Sequence, residues 1–225
     1  MKVAVFFSGG KDSVLALQES LKKDEVRYIV SFFSEKPEPY MYNYSSMSLA
    51  IIQSLSLGLK LVTKKLEPGK EQDGIRSALE SLKKEIDAVV VGVALDKRQK
   101  AMLSGICRSA GLKLVTPLAR KRQDSLWKSA LDAGYEILVV YSKGMDKRLL
   151  GKAVQKSDLK LLSPRKACKG DCESFRTLVI NGPIFSRRME ITDSEAQWNG
   201  REGRFVIKDA KLKGADSPSG LSGAS

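Results

Sequence analysis

Along the first 118 residues, short apolar runs of strand length alternate with amphipathic helical stretches, and that alternation leaves few folds open. The strand-like runs fall at residues 2–7, 28–33, 60–66, 88–93 and 113–118; helical patterns fill 45–57, 71–85 and 97–110 between them. A further helix follows the first run, with Val14, Leu17 and Leu21 on one face and Lys22 and Lys23 at its end. Parallel strands joined this way need right-handed crossovers, which put helices on both faces of the sheet. The expected fold is therefore α/β, a parallel Rossmann-like sheet whose ligand sits at the carboxyl ends of the strands.

The first strand-to-helix junction reads Ser8, Gly9, Gly10, Lys11, Asp12, Ser13. Two residues without a Cβ let the backbone turn back and offer its N–H groups to an anion at the helix start, while Lys11 adds a mobile positive charge. Asp12 and Ser13 are both suitable helix caps. The spacing is not that of a Walker A loop, which needs four residues between its first glycine and the Gly-Lys pair. The expected ligand is a polyphosphate.

Beyond Pro117 the pattern changes. A basic ARKRQ segment leads to a helix over about 125–133 and a strand at 137–141, followed by a glycine-marked loop and a short helical segment beyond Lys147. Alternating runs at 176–180, 187–191 and 204–208, broken by turn-forming NGP and NGREG, read as antiparallel strands. These features divide the chain into a nucleotide-binding part at 1–118, a smaller C-terminal α+β domain at 119–213, and a Gly/Ser-rich flexible tail at 214–225.

The 225 residues carry 39 basic and 26 acidic side chains, a formal charge of +13, which favours an anionic partner without naming it. RNA, an acidic protein and a ribosome-associated factor all satisfy that charge, although no interleaving of aromatics with basic runs marks an RNA-recognition module. The apolar start is cut short by glycines and charges, and no run approaches about 18 apolar residues, so neither a signal peptide nor a membrane partner is expected. The reading places the chain in the cytoplasm. Histidine is absent, which removes the commonest general base and leaves carboxylates, lysines or substrate amines to move protons. Of three cysteines, Cys107 sits in a helical pattern as a small apolar residue; Cys168 and Cys172 share a CKGDC loop, where a disulfide, metal binding and neither are all open.

The SGGKDS loop resembles the pyrophosphate loop of the ATP pyrophosphatases, whose nucleotide-binding sheets are of the HUP type. Further matches make the chain similar to the diphthine–ammonia ligase family. They are PYMYN at 39–43, Pro117 and Leu118 with Gln123 and Leu126, GMD at 144–146, LLGK at 149–152, and TLVINGPIF at 177–185. Departures accompany them. The family's Glu- and Gly-rich segment before the last of these motifs is CKGDCESFRT here, a family histidine position falls near Met47, and family arginines are replaced by Lys100 and Met102 with Gln99 kept.

The resemblance implies an ATP-dependent ligase that adenylates the diphthine carboxylate of translation elongation factor 2 and amidates it with ammonium, giving diphthamide, AMP and pyrophosphate. It implies that Ser8, Gly9, Gly10, Lys11, Asp12 and Ser13 hold the β and γ phosphates of ATP, with Lys11 and Asp12 catalytic. Mg²⁺ would bridge the phosphates, and Asp12 is open between a metal ligand and a helix cap. Phe33, Ser34 and Gly92 would lie near adenine, and Tyr40, Tyr42, Asn43, Gln99 and Lys100 near the acceptor. Two other readings stand beside it: a pyrophosphate-loop enzyme adenylating a tRNA base, and an adenine-nucleotide sensor without turnover.

Overall fold

The computed structural model describes residues 1–33, 47–92, 97–143, 147–162 and 174–214. Strands β1 (Lys2–Phe6), β2 (Glu25–Phe33), β3 (Leu61–Lys65), β4 (Ala88–Val91) and β5 (Lys113–Val115) form one sheet in the order β3-β2-β1-β4-β5. Every pairing in it is parallel. Helices α1 (Lys11–Leu21), α2 (Met47–Leu57), α3 (Glu71–Leu82) and α4 (Lys97–Ser109) supply the crossovers. The expected α/β class is what the chain adopts.

The strand order reverses direction at β1, so the chain passes from one side of β1 to the other between β3 and β4. Such a switch point opens a crevice at the carboxyl end of the sheet, and the glycine loop after β1 occupies it. Alternation along β1 splits the core accordingly. Val3 and Val5 pack with α1 and α2 on one face; Ala4 and Phe6 pack with α3 and α4 on the other. Cys107 belongs to that second face and is 1% exposed, and burial pushes its thiol pKa up to about 11, as suits an apolar role.

The second sheet is antiparallel and has the order β7-β6-β9-β8, from β6 (Glu136–Lys143), β7 (Ser174–Asn181), β8 (Met189–Trp198) and β9 (Glu202–Leu212). Helices α5 (Gln123–Asp132) and α6 (Leu159–Leu162) lie beside it. Its inner face does not build a separate core: Trp127, Ile137, Val139 and Val179 join Val5, Val14 and Leu17 in one apolar cluster. The two sheets thus share a wall, with α1 between them. Among the described residues no helix is long and apolar enough to cross a membrane.

Element ends moved where pairing, not apolar pattern, sets the limit. β5 stops at Val115, short of the expected 118, because Pro117 cannot donate to a ladder and restricts the residue before it. β8 and β9 run well past the expected 187–191 and 204–208, paired from Met189↔Leu212 to Trp198↔Gly203 across the NGREG turn, which carries Gly200 at φ 94°. Polar side chains such as Thr192 and Asp193 continue that hairpin because its backbone ladder, not burial, holds them.

Candidate functional site: a glycine loop clamped from both sheets

The chain leaves β1 through Phe7, turns at Gly9 with φ 70°, and enters α1 at Lys11. The positive φ is one that a residue with a Cβ adopts at a cost, so glycine is the natural occupant. Gly10 is required for a different reason: a Cβ there would stand 2.9 Å from the Thr177 carbonyl oxygen. The loop is therefore pressed against β7 and has no room for a side chain.

Asp12 and Ser13 do not cap the helix, contrary to the sequence expectation. The N-cap is Gly10, whose side is bare, and the missing cap bond comes from far along the chain: the Lys11 backbone N–H donates to Thr177 Oγ1 at 3.0 Å. Ser13 instead ties the loop internally, its hydroxyl donating to the Gly10 carbonyl at 2.9 Å and accepting from the Ser8 backbone N–H at 3.3 Å. Val179 N–H donates to the Gly9 carbonyl at 2.9 Å, and the buried Gln53 amide donates both to that carbonyl and to Val179 O, at 3.2 and 2.6 Å. Carbonyls of the loop are thus spent on protein partners. Its remaining backbone N–H groups, at Gly9, Gly10, Asp12 and Ser13, have no partner among the described residues. Unspent donors at the start of an eleven-residue helix can receive an anion.

Lys11 is fixed, not mobile. Its side chain is 1% exposed, forms an ion pair with Asp12, donates to Gln123 Oε1 at 3.1 Å and stands 5.1 Å from the centre of the Trp127 ring. Burial lowers its pKa, and the neighbouring Asp12 charge and hydrogen bond oppose that shift. The result is a positive charge held in place behind the loop. Asp12 itself keeps 27% of its side chain accessible and lines a cavity of about 420 Å³ with Gln123, Trp127, Lys160 and Phe175. A second cavity of about 500 Å³, near Tyr135 and Lys156, includes no residue of the loop.

Other residues singled out in the sequence fall around this centre or outside the described residues. Phe33 ends β2, half-buried, and Gly92 follows β4, so they flank the loop on the two strands that pair with β1. Gly92 has a packing reason as well: its Cβ would lie 2.2 Å from the Asp12 carbonyl oxygen. Gln99 is half-buried and Lys100 exposed in the first turn of α4. Ser34, Tyr40, Tyr42, Asn43, Cys168, Cys172 and the GMD segment lie outside the described residues. Thr177, Trp127 and Gln53 were not read as site residues. Only Thr177 left a trace, as the first residue of the TLVINGPIF match; Trp127 and Gln53 read as ordinary helix positions.

Comparison with known proteins gives consistent findings. A family model described as the Diphthamide synthase N-terminal domain matches residues 1–114, and one described as the Diphthamide synthase C-terminal domain matches residues 122–212. A diphthine–ammonia ligase of Rattus norvegicus is 24% identical over 247 residues, covering 95% of this chain and 91% of that protein. One of Homo sapiens is 22% identical over 228 residues, covering 87% and 84%. One of Schizosaccharomyces pombe is 25% identical over 222 residues, and there the chain spans only 37% of its relative's length. A solved structure described as a predicted subunit of tRNA methyltransferase from Methanocaldococcus jannaschii superposes with a TM-score of 0.47 at 19% identity, covering 81% of this chain and 97% of that one.

Proposed function

The chain belongs to the diphthamide synthase family, and from that membership we propose that it is an ATP-dependent ligase that amidates diphthine on translation elongation factor 2. The observation that carries the proposal is the loop itself: four backbone N–H groups at the start of α1 without a partner among the described residues, with the Lys11 ammonium fixed behind them. That cradle suits the β and γ phosphates and leaves the α phosphorus facing outward. Residues 1–118 would hold the nucleotide, with adenine near Phe33, Ser34 and Gly92, and residues 119–213 would shape the acceptor side.

In this reading an oxygen of the acceptor carboxylate attacks the α phosphorus, a new O–P bond forms, and the bond to the bridging oxygen breaks to release pyrophosphate. The loop N–H groups and Lys11 stabilise the charge gathering on that leaving group without having to reorganise, since protein contacts already hold them. Asp12 is the acidic side chain that would hold Mg²⁺ in this reading. Such an ion would neutralise phosphate charge. Ammonia, supplied as ammonium, then attacks the activated acyl carbon, and AMP leaves with the oxygen. Gln99 and Lys100 at the head of α4, with Tyr40, Tyr42 and Asn43, are the proposed acceptor contacts.

The test mixes the protein with ATP, Mg²⁺ and ammonium and follows pyrophosphate, adding either diphthine-bearing elongation factor 2 or tRNA. Release that depends on the factor is the expected result. Release dependent on tRNA would transfer the proposal to a base-modifying enzyme, and nucleotide binding without release under either condition would make the chain a sensor.

A further inference from the structure

We infer, resting on the ligase reading above, that the cavity beside Asp12 seats the acceptor's carboxylate, with the side-chain N–H groups of Gln123 and Trp127 as its donors. The two residues are four apart on α5, so they share one helix face, and both line the cavity. Gln123 Oε1 accepts from Lys11 Nζ at 3.1 Å, which fixes the amide so that its NH₂ points away from the lysine. That NH₂ has no partner among the described residues. Trp127 is 2% exposed, and its Nε1–H is buried without a hydrogen-bond partner among the described residues. Buried donors are nearly always paired, so an orphan in a cavity wall points to an acceptor group that arrives with a ligand.

The charges around the cavity agree with this assignment. Lys160 lines it, and the Lys11 ammonium lies over the Trp127 ring at 5.1 Å. Both acidic lining groups are already matched, Asp12 by Lys11 and Asp124 by Arg122 at 3.2 Å. Two N–H donors suit the two oxygens of a carboxylate. Diphthine carries a trimethylammonium group beside its carboxylate, and Phe175, whose ring centre is 5.7 Å from that of Trp127, offers an aromatic face for it. Because Asp12 belongs to both the loop and the cavity, a carboxylate placed here is adjacent to the phosphate cradle, as the attack on the α phosphorus requires.

The probe is glycine betaine, a carboxylate beside a trimethylammonium group, titrated against the ¹⁵N-labelled protein while the indole N–H resonances are observed. There are two tryptophans, and Trp127→Phe identifies the Trp127 signal by its loss. The Trp127 proton should move downfield and saturate, the Trp198 proton should not, and Gln123→Glu should weaken the apparent affinity about tenfold or more by replacing a donor with an oxygen. No saturable shift at Trp127, or the same shift with tetramethylammonium chloride, which lacks a carboxylate, overturns the inference. A kinetic arm separates it from the ligase reading. Trp127→Phe should raise KM for the acceptor about tenfold with KM for ATP unchanged. A betaine shift in a protein that shows no acceptor-dependent pyrophosphate release contradicts the ligase reading alone; normal acceptor-dependent release with no betaine shift contradicts the carboxylate site alone.

Discussion

Lys11→Met is expected to abolish most pyrophosphate release while leaving the protein as stable as before or more so. Two effects of one buried charge pull in opposite directions. For catalysis, the ammonium is a preorganised positive group beside the leaving pyrophosphate, and losing one such group costs roughly 10²- to 10³-fold in kcat. For folding, the same ammonium is 1% exposed, and burial disfavours its charged form. Replacing both members of a buried ion pair by apolar groups is often neutral or stabilising by about 1–4 kcal/mol, whereas removing one member is costly when the charge left behind stays buried. Asp12, the partner left behind, keeps 27% of its side chain accessible and can be hydrated, so the gain should sit at the lower end. A rise of about 1 kcal/mol corresponds to roughly 2–4 °C in a chain of this size.

The same charge predicts a pH dependence with a definite sign. Lys11 has a native pKa lowered from its ordinary 10.5, chiefly by desolvation. Between the lowered native value and 10.5 the unfolded chain therefore binds more protons than the native one, and stability contributed by this group rises with pH across that window. The contribution is fully present above 10.5 and is lost as pH falls through the native pKa. Denaturant titrations of wild type and Lys11→Met over the alkaline range should show wild-type stability rising relative to that of the variant as pH increases. A variant that melts several degrees lower with the same alkaline pH dependence as wild type would contradict this account of the lysine.

Gly92→Ala is expected to be among the most damaging single-methyl changes in the molecule. The added Cβ would meet the Asp12 carbonyl oxygen at 2.2 Å, its carbon at 2.7 Å and the Ala16 Cβ at 3.0 Å. Two of those atoms are backbone, so no rotamer change relieves the contact. Either β4 moves from the start of α1 or the loop shifts. Overpacking typically costs about 1–3 kcal/mol, and a contact this short with fixed backbone belongs at the upper end, about 3 kcal/mol or roughly 6–12 °C here. Since the displaced atoms belong to Asp12, KM for ATP should rise about tenfold or more as well. Gly105→Ala is the control: it is exposed on α4 with nothing within 4 Å of its Cβ, and the change should stabilise by about 0.5–1 kcal/mol. Equal thermal shifts for the two substitutions would mean that the β4–α1 contact is looser than described.

The parallel sheet was legible because its central strands β1 and β4 are buried on both faces, and burial writes a continuous apolar run such as Val3–Phe7 or Ala88–Val91 into the chain. The loop was legible too, since Gly9 and Gly10 must lack side chains for local and close-contact reasons. What sits against the loop was not. Thr177 reaches it across 166 positions, Gln123 across 112 and Gln53 across 44, and neither periodicity nor composition carries the register of one sheet against another. The misplaced helix cap has the same origin. Asp12 and Ser13 have the right chemistry for a cap, but a hydroxyl from β7 already satisfies the first N–H, so the helix begins earlier. Trp127 shows the limit from the other side: an apolar residue at core spacing reads as core, and only the three-dimensional structure reveals an indole N–H with no partner among the described residues.

The central claim is that the loop from Ser8 to Ser13 cradles the terminal phosphates of ATP and exposes the α phosphorus. A crystal structure with Mg²⁺ and an ATP analogue that cannot be cleaved between its α and β phosphates tests it most directly. The account predicts β- and γ-phosphate oxygens within hydrogen-bond distance of the Gly9, Gly10, Asp12 and Ser13 amides, and an α phosphorus open to the cavity lined by Gln123 and Trp127. A triphosphate lodged away from that loop, or one bound with its γ phosphorus turned toward the cavity, would contradict it.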